Sequence, residues 1–145
     1  MESNVFIRVL KSKFEMQVYA NNNLIHEYPV GVGANVGDKE AVGDKRTPEG
    51  VFKIVSIEDS SQWSHDFFDG KGLIEKAYGP WFIRLSTTSA ETKSHKTWIG
   101  IGIHGTHDPS SIGTLCTEGC IRMKNEDILE LVNKVGVGTP VEILP

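Results

Sequence analysis

The segment from Ile103 to Met123, IHGTHDPSSIGTLCTEGCIRM, contains both cysteines of the chain and two of its five histidines. An alternating apolar stretch ends at His104, and Cys120 follows 16 residues later, just before a predicted helix. If the intervening loop folds back onto the strand end, the imidazole of His104 lies within reach of the Cys120 thiol. The segment therefore predicts a cysteine nucleophile with a histidine base, a metal site or a disulfide.

Three neighbouring residues favour the nucleophile. An ordinary thiol, with a pKa of about 8.5, is mostly protonated at neutral pH, so we expect His104 to take the proton and to hold the Cys120 thiolate as an ion pair. Gly119 permits a backbone angle that turns main-chain amides toward a developing oxyanion. Arg122 shares a strand face with Cys120 if the segment is extended, so its charge favours the thiolate and could fork onto a substrate carboxylate. The alternative for Arg122 is a surface salt bridge with Glu126.

The other polar residues of the segment have plainer interpretations. Cys116 is predicted to be a small buried apolar residue, and a disulfide to Cys120 would mask the reactive thiol. Ser111 and Thr117 are predicted to be loop and capping residues first and substrate contacts second. Glu118 is expected to face solvent, because a carboxylate close to a thiol raises the pKa of that thiol.

A zinc site is the main chemical alternative to a reactive thiol in this segment. His104, His107, Cys116 and Cys120 supply four ligands of suitable type, but their spacing is not that of the common zinc finger or zinc ribbon. Arg122 would also repel a cation. We therefore expect no metal in this segment.

The rest of the chain indicates a mainly β fold with one main helix near the C-terminus. Alternating apolar residues predict strands in VFIRVL, in FEMQVYA and, after an asparagine turn, in LIHEYPVGVG. Further strands are predicted over 51–57, 81–85, 98–103 and 139–144, whereas 59–79 shows no period and is predicted to be an irregular surface flap. Asn125 is the predicted N-cap of the helix, and Gly136 is its predicted stop. The apolar stripe of this helix consists of Ile128, Leu129, Leu131, Val132 and Val135.

Composition restricts the classes of partner. The chain has 15 Lys and Arg residues against 19 Asp and Glu, a net charge of -4, which argues against nucleic acid and anionic membranes as partners. No stretch approaches the roughly 20 apolar residues of a membrane span, and the first residues lack the apolar core of a secretory signal. We expect no transmembrane segment, a monomer, and a single domain over 1–145.

These motifs together resemble the L,D-transpeptidase family, whose catalytic domain is of the YkuD type. The similarity lies in IHGT, SIG and TEGCIRM, in NEDILELV and VGTPVEI after them, and upstream in RTPEGVFKI and YGPWFIRL. It extends from about Val5 to Leu144. The resemblance implies a mainly β, sandwich or barrel-like fold and a catalytic site that needs no metal or other cofactor.

Carried over by position, the resemblance assigns roles to individual residues. It implies that Cys120 is the nucleophile and that His104 is the general base, oriented by the main-chain carbonyl of Gly105. It also implies that the amides of Gly119 and Cys120 form an oxyanion hole, and it matches Arg122 to the arginine of the family. Two other positions differ from the family pattern. Thr117 stands where a serine is usual, and Glu118 stands where histidine or lysine is common.

The implied substrate is the peptide stem of peptidoglycan. Cys120 would attack the carbonyl of the third stem residue, release the terminal D-amino acid and form a thioester, which an amine of another stem converts into a 3-3 cross-link. Hydrolysis of the thioester, as in an L,D-carboxypeptidase, and a non-catalytic wall-binding module are the alternatives. The resemblance also implies acylation of Cys120 by carbapenems. Because peptidoglycan lies outside the cytoplasmic membrane, we expect an extracytoplasmic enzyme whose export signal is absent from this chain.

Overall fold

The structure is a computed structural model that describes residues 4–145 and consists mostly of β-strands. The single α-helix of the described residues, α1, comprises Asn125–Leu131. The strands are β1 (Val5–Leu10), β2 (Glu15–Ala20), β3 (Asn23–Gly33), β4 (Gly50–Asp59), β5 (Ser64–Asp66), β6 (Leu73–Glu75), β7 (Trp81–Ser86), β8 (Gly102–His104), β9 (Leu115–Thr117), β10 (Ile121–Met123) and β11 (Pro140–Leu144).

Nine of the strands form one sheet in the order β10-β8-β7-β4-β11-β1-β2-β3-β9. The sheet closes on itself, because β10 pairs with β8 in parallel and also with β3 in antiparallel orientation. β9 pairs with the C-terminal end of β3, at Val32 and Gly33, beyond the residues of β3 that pair with β10. The predicted mainly β, barrel-like fold with one main helix is confirmed.

The apolar residues that alternate in the sequence fill the inside of this barrel. On β1, every second residue from Val5 to Val9 is buried, and β2 and β11 repeat the pattern beside it. The fully buried side chains contributed by these three strands are Ile7, Val9, Met16, Val18, Val141 and Ile143. Burying a Val, Ile or Met side chain contributes roughly 1.5–3 kcal/mol to the free energy of folding. A one-residue shift in pairing would expose this apolar face, so its burial fixes the register of the strands.

The helix is shorter than the apolar stripe predicts, and its cap is a different residue. Lys124 occupies the N-cap without a side-chain hydrogen bond, and α1 ends at Leu131, although Val135 remains buried. Leu129, a member of the predicted stripe, is exposed. The predicted N-cap Asn125 is wrong, because its side chain accepts a hydrogen bond from the Thr106 amide instead.

Two other elements differ from the prediction. The strand predicted over 98–103 is reduced to β8, because Gly100 adopts a φ of 77° and interrupts the extended backbone. The segment 59–79, predicted to be irregular, contains the antiparallel hairpin β5–β6. Each of its strands has only three residues, which is too short to show a periodic pattern.

Among the helices of residues 4–145, none has both the length and the apolar character needed to cross a membrane.

Candidate active site

A cavity of about 810 Å³ opens where β8 and β10 meet. Its wall includes His104, Cys120 and Arg122, so the structure brings together the three residues that the sequence singles out. Thr117 and Glu118 also line it. The remaining lining is rich in aromatic rings, which come from Trp63, Phe67, Tyr78, Phe82 and Trp98.

His104 lies within β8 and is buried, with 2% of its surface exposed. Its Nδ1 lies 2.5 Å from the carbonyl oxygen of Gly105. Since a carbonyl only accepts hydrogen bonds, Nδ1 carries the proton and Nε2 of the neutral ring is left with a free lone pair. The ring packs edge-on against Tyr78, with centroids 4.8 Å apart, and stacks on Phe82 at 5.6 Å. Gly105 therefore has the orienting position that the resemblance implies.

Cys120 is half-buried at the start of β10. Its thiol donates a hydrogen bond of 3.4 Å to the carbonyl of Gly100. Burial raises the pKa of the thiol to about 11, whereas the backbone amide of Gly102, which also contacts the sulfur, acts to lower it. Burial likewise lowers the pKa of His104 to about 3. Both shifts favour the neutral thiol and the neutral imidazole over the ion pair that the sequence predicts.

A tight turn formed by Thr117 and Gly119 presents Cys120 to the cavity. The hydroxyl of the buried Thr117 donates to the Cys120 carbonyl at 2.7 Å and accepts from the Gly119 amide at 3.1 Å. Gly119 has a φ of 140°, and a Cβ at this position would lie 3.0 Å from the carbonyl oxygen of Arg46. The Gly119 amide is thus engaged with Thr117 in this arrangement, and a role in an oxyanion hole requires that it leave this bond.

Arg122 is buried, with 4% of its surface exposed. Its Nη1 donates to the Ser111 hydroxyl at 3.0 Å, and that hydroxyl donates to the carbonyl of Asp108 at 2.7 Å. The guanidinium also lies over the ring of Phe67, 5.7 Å from its centroid. The structure contains no salt bridge to Glu126 among the described residues. Ser111 therefore contacts Arg122 directly.

The guanidinium retains one free donor. Within residues 4–145, the Nε of Arg122 is buried and has no hydrogen-bond partner. An unpaired buried donor is unfavourable, by about 1–3 kcal/mol, unless an acceptor joins it. The guanidinium of Arg122 therefore has hydrogen-bonding capacity that the described residues do not use.

The alternatives to a reactive thiol receive no support from the geometry. Both Cys116 and Cys120 are free thiols. In the part of the chain that the structure describes, no three His, Cys, Asp or Glu side chains converge as metal ligands. The zinc site that His104 and His107 would need together with both cysteines is not formed.

The sequence did not predict that several other residues lie at the site. Tyr78 and Phe82 hold the His104 ring, and Asn125 approaches the backbone of Gly105. His65, on the hairpin of β5 and β6, contacts Glu118. Tyr78 and Phe82 belong to the motif YGPWFIRL. The motif contributed to the family resemblance, but it did not predict that these two rings contact His104.

Comparison with known proteins identifies the family of this site and fold. The family model described as the L,D-transpeptidase catalytic domain, YkuD, matches residues 4–143. The chain therefore belongs to the L,D-transpeptidase catalytic-domain family, which is a family of enzymes.

Relatives and solved structures agree with this assignment. YkuD of Bacillus subtilis (strain 168) is 55% identical over 79 residues, covering 51% of this chain and 48% of that protein. YqjB of the same organism is 27% identical over 138 residues, covering 95% of this chain and 70% of its own length. YkuD of Bacillus licheniformis is 59% identical over 44 residues, 30% of this chain, and the match spans only 27% of that relative's length.

The solved structures show the same fold at low sequence identity. The L,D-transpeptidase from Mycobacterium smegmatis superposes with a TM-score of 0.69 at 18% identity, covering 97% of this chain and 58% of that one. The catalytic domain of the E. faecium L,D-transpeptidase superposes with a TM-score of 0.65 at 23% identity, covering 99% of this chain and 98% of that domain.

Proposed function

We propose that this chain catalyses acyl transfer on peptidoglycan stem peptides, with Cys120 as the nucleophile and His104 as the general base. The observation that carries the proposal is the convergence of thiol, imidazole and guanidinium on one cavity. The family, whose members are L,D-transpeptidases, supplies the substrate class.

The neutral resting state defines how the first step proceeds. Because Nδ1 of His104 donates to Gly105, Nε2 is the nitrogen that accepts the proton of the Cys120 thiol as the sulfur attacks. The sulfur forms a bond to the carbonyl carbon of the third stem residue. The tetrahedral intermediate then collapses, the C–N bond to the terminal D-amino acid breaks, and the imidazolium returns its proton to the leaving amine.

Positive charge stabilises the developing negative charge of this step. Arg122 and Arg84 both act to lower the pKa of the Cys120 thiol, in opposition to burial, which raises it. We assign the guanidinium of Arg122 to a substrate oxygen, and the amide of Cys120 to the oxyanion, joined by the Gly119 amide once it leaves the Thr117 hydroxyl. Ser111 then serves by holding Arg122, and Thr117 by holding the turn.

The second step releases the thiol. An amine from another stem attacks the thioester, Nε2 of His104 takes the proton of that amine, and the amide product leaves as Cys120 regains its proton. The product is a 3-3 cross-link when an amine is the acceptor, and a shortened stem when water is. We further propose that the enzyme acts outside the cytoplasmic membrane, in the periplasm or cell wall, where this substrate lies.

A covalent probe tests the nucleophile. Solved L,D-transpeptidase structures include one in complex with imipenem and one, from Mycobacterium tuberculosis, in complex with a faropenem-derived adduct. Incubation of the wild-type protein with imipenem, followed by intact-mass analysis, is expected to show one adduct. Cys120→Ala should show none, and Cys116→Ala, the matched control, should still be modified. Folded wild-type protein that forms no adduct would favour a non-catalytic wall-binding module.

A second assay distinguishes the two products. A disaccharide tetrapeptide is supplied with and without a second stem as amine acceptor, and the products are separated by mass. We expect the cross-linked dimer to dominate when the acceptor is present. Release of the D-amino acid with no dimer under both conditions would assign the chain as an L,D-carboxypeptidase.

A further inference from the structure

Glu118 is the one acidic side chain among the residues that line the main cavity. It lies two positions before Cys120, and its carboxylate opposes ionisation of the thiol. Basic side chains dominate the remaining charged lining, but two of them already have carboxylate partners elsewhere. Arg84 pairs with Glu58 at 2.7 Å, and Lys39 pairs with Asp44 at 2.9 Å. A negative charge beside a cysteine nucleophile is thus an unfavourable feature that the structure must offset.

The offsetting group comes from the hairpin of β5 and β6. Nε2 of His65 lies 2.7 Å from Oε1 of Glu118, and the two side chains are 30% and 40% exposed. The ring of His65 is held by Phe67, whose centroid is 4.7 Å away, and by Tyr78 at 5.6 Å. The contact joins residues 53 positions apart in the sequence, so it exists only in the folded chain.

We propose that His65, through its contact with the Glu118 carboxylate, weakens the effect of that carboxylate on Cys120 and thereby allows the thiol to ionise more readily during catalysis. His65 is a positioning residue that acts through Glu118 and does not touch the substrate. The inference rests on the proposed role of Cys120 as nucleophile, and it goes beyond that role by naming a residue pair that sets the reactivity of the sulfur.

The charged groups around the thiol agree in direction with this proposal. Burial raises the pKa of Cys120 most, and the Glu118 carboxylate raises it further, whereas Arg122 and Arg84 lower it. The Glu118 carboxylate also affects Tyr78. Burial, and after it the charges of Cys120 and Glu118, raise the pKa of Tyr78 to about 12. The other titratable side chains that line this cavity or the adjoining one, besides the arginines and Tyr78, are Lys39, Lys45, Asp69, Lys71, His104, His107, Asp108 and Cys116. Of the histidines, His65 is the one that contacts Glu118.

Thiol alkylation measures the effect directly. The rate of iodoacetamide modification of Cys120 is followed against pH, with peptide mapping by mass spectrometry to separate Cys120 from Cys116. Glu118→Gln is expected to move the midpoint of the profile to lower pH, and His65→Gln to higher pH, by an amount equal to about a threefold to tenfold change in thiolate fraction. The double variant should behave like Glu118→Gln alone, because the carboxylate through which His65 acts is absent in both.

The chain offers a matched control in a second His–Glu pair. Nδ1 of His26 lies 3.3 Å from Glu130, and neither residue lines the main cavity. His26→Gln should leave the alkylation profile of Cys120 unchanged. Circular dichroism and thermal unfolding of each variant verify that it is folded.

The sign of the two shifts is decisive. If the pair served only to hold the hairpin over the cavity, both single variants would break the same contact and would move the profile in the same direction. Shifts of equal sign, or no shift in His65→Gln, would overturn the proposal. Alkylation requires only a reactive thiol, so this result is independent of the imipenem adduct that tests the proposed function.

Discussion

His104 on β8 and Arg122 on β10 are register partners in adjacent parallel strands. Neighbouring strands lie about 4.8 Å apart, and partner residues project to the same face of a sheet, so the imidazole and the guanidinium enter the cavity side by side. The same pairing closes the barrel, because β10 also joins β3. Closure of the barrel and assembly of the site are therefore one structural event.

Arg122→Ala should slow the acylation of Cys120. Loss of a buried positive charge near the thiol raises the pKa of that thiol, so we expect the rate of imipenem adduct formation to fall roughly tenfold or more at neutral pH. The rate profile should move to higher pH. Arg8→Ala is the control, since Arg8 pairs with Glu142 and does not line the cavity. An unchanged rate in Arg122→Ala would remove the guanidinium from the mechanism.

Gly105→Ala should disturb the base that Gly105 orients. A Cβ at this position meets the Asn125 side chain and lies 2.9 Å from Cδ of Pro80. We expect a loss of about 1–3 kcal/mol in the free energy of unfolding and a marked fall in acylation rate, because the carbonyl that holds His104 moves.

Gly138→Ala is the control for this variant. Gly138 has a φ of 95°, and no atom lies within 4 Å of a Cβ built there. The left-handed backbone should lower stability by about 1–2 kcal/mol without affecting acylation. Equal acylation rates in the two alanine variants would contradict the orienting role of Gly105. Urea unfolding and adduct kinetics provide both measurements.

Asn125→Ala should reduce stability more than loss of a helix cap would suggest. The Asn125 amide oxygen accepts from the Thr106 backbone amide at 2.8 Å, and its loss leaves a partly buried donor without a partner. Such a loss destabilises by about 1–3 kcal/mol. Asn133→Ala is the comparison, because Asn133 makes only an exposed bond of 3.3 Å to the Leu129 carbonyl. Similar melting temperatures for the two variants would contradict this expectation.

The loop that contains Asp44 should make stability sensitive to acid. Burial acts to raise the pKa of this carboxyl, but hydrogen bonds from the Lys39 side chain and from the amides of Glu40, Ala41 and Arg46 outweigh it and hold the pKa well below its usual range. The folded state therefore prefers the charged carboxylate. Its contribution is fully present above the unfolded pKa of about 3.9, and it is lost as the pH falls through the folded pKa.

Asp44→Asn tests this linkage. The variant should be less stable than the wild type near pH 7, and the difference between the two should shrink as the pH is lowered below about 4. Urea unfolding at several pH values measures the difference. A constant difference across this range would show that the charge of Asp44 does not contribute.

Strand periodicity and local motifs made much of the fold predictable. The alternation in β1, β2 and β11 is a local consequence of one buried face, so it is readable from residue spacing. The helix was less predictable at its ends. Asn125 has the chemistry of an N-cap, yet a backbone amide 19 residues earlier in the chain provides the partner that its side chain contacts.

The sequence alone singled out the residues that meet at the cavity. Cys120, His104 and Arg122 occur at spacings that a strand end, a glycine-containing loop and a second strand bring together, and these are properties of the local chain. Tertiary structure decided their protonation and their neighbours. Burial favours the neutral forms of the thiol and the imidazole, and the contact of His65 with Glu118 joins segments that are remote in the sequence. Desolvation and charge pairing depend on distance in space, which residue spacing along the chain does not encode.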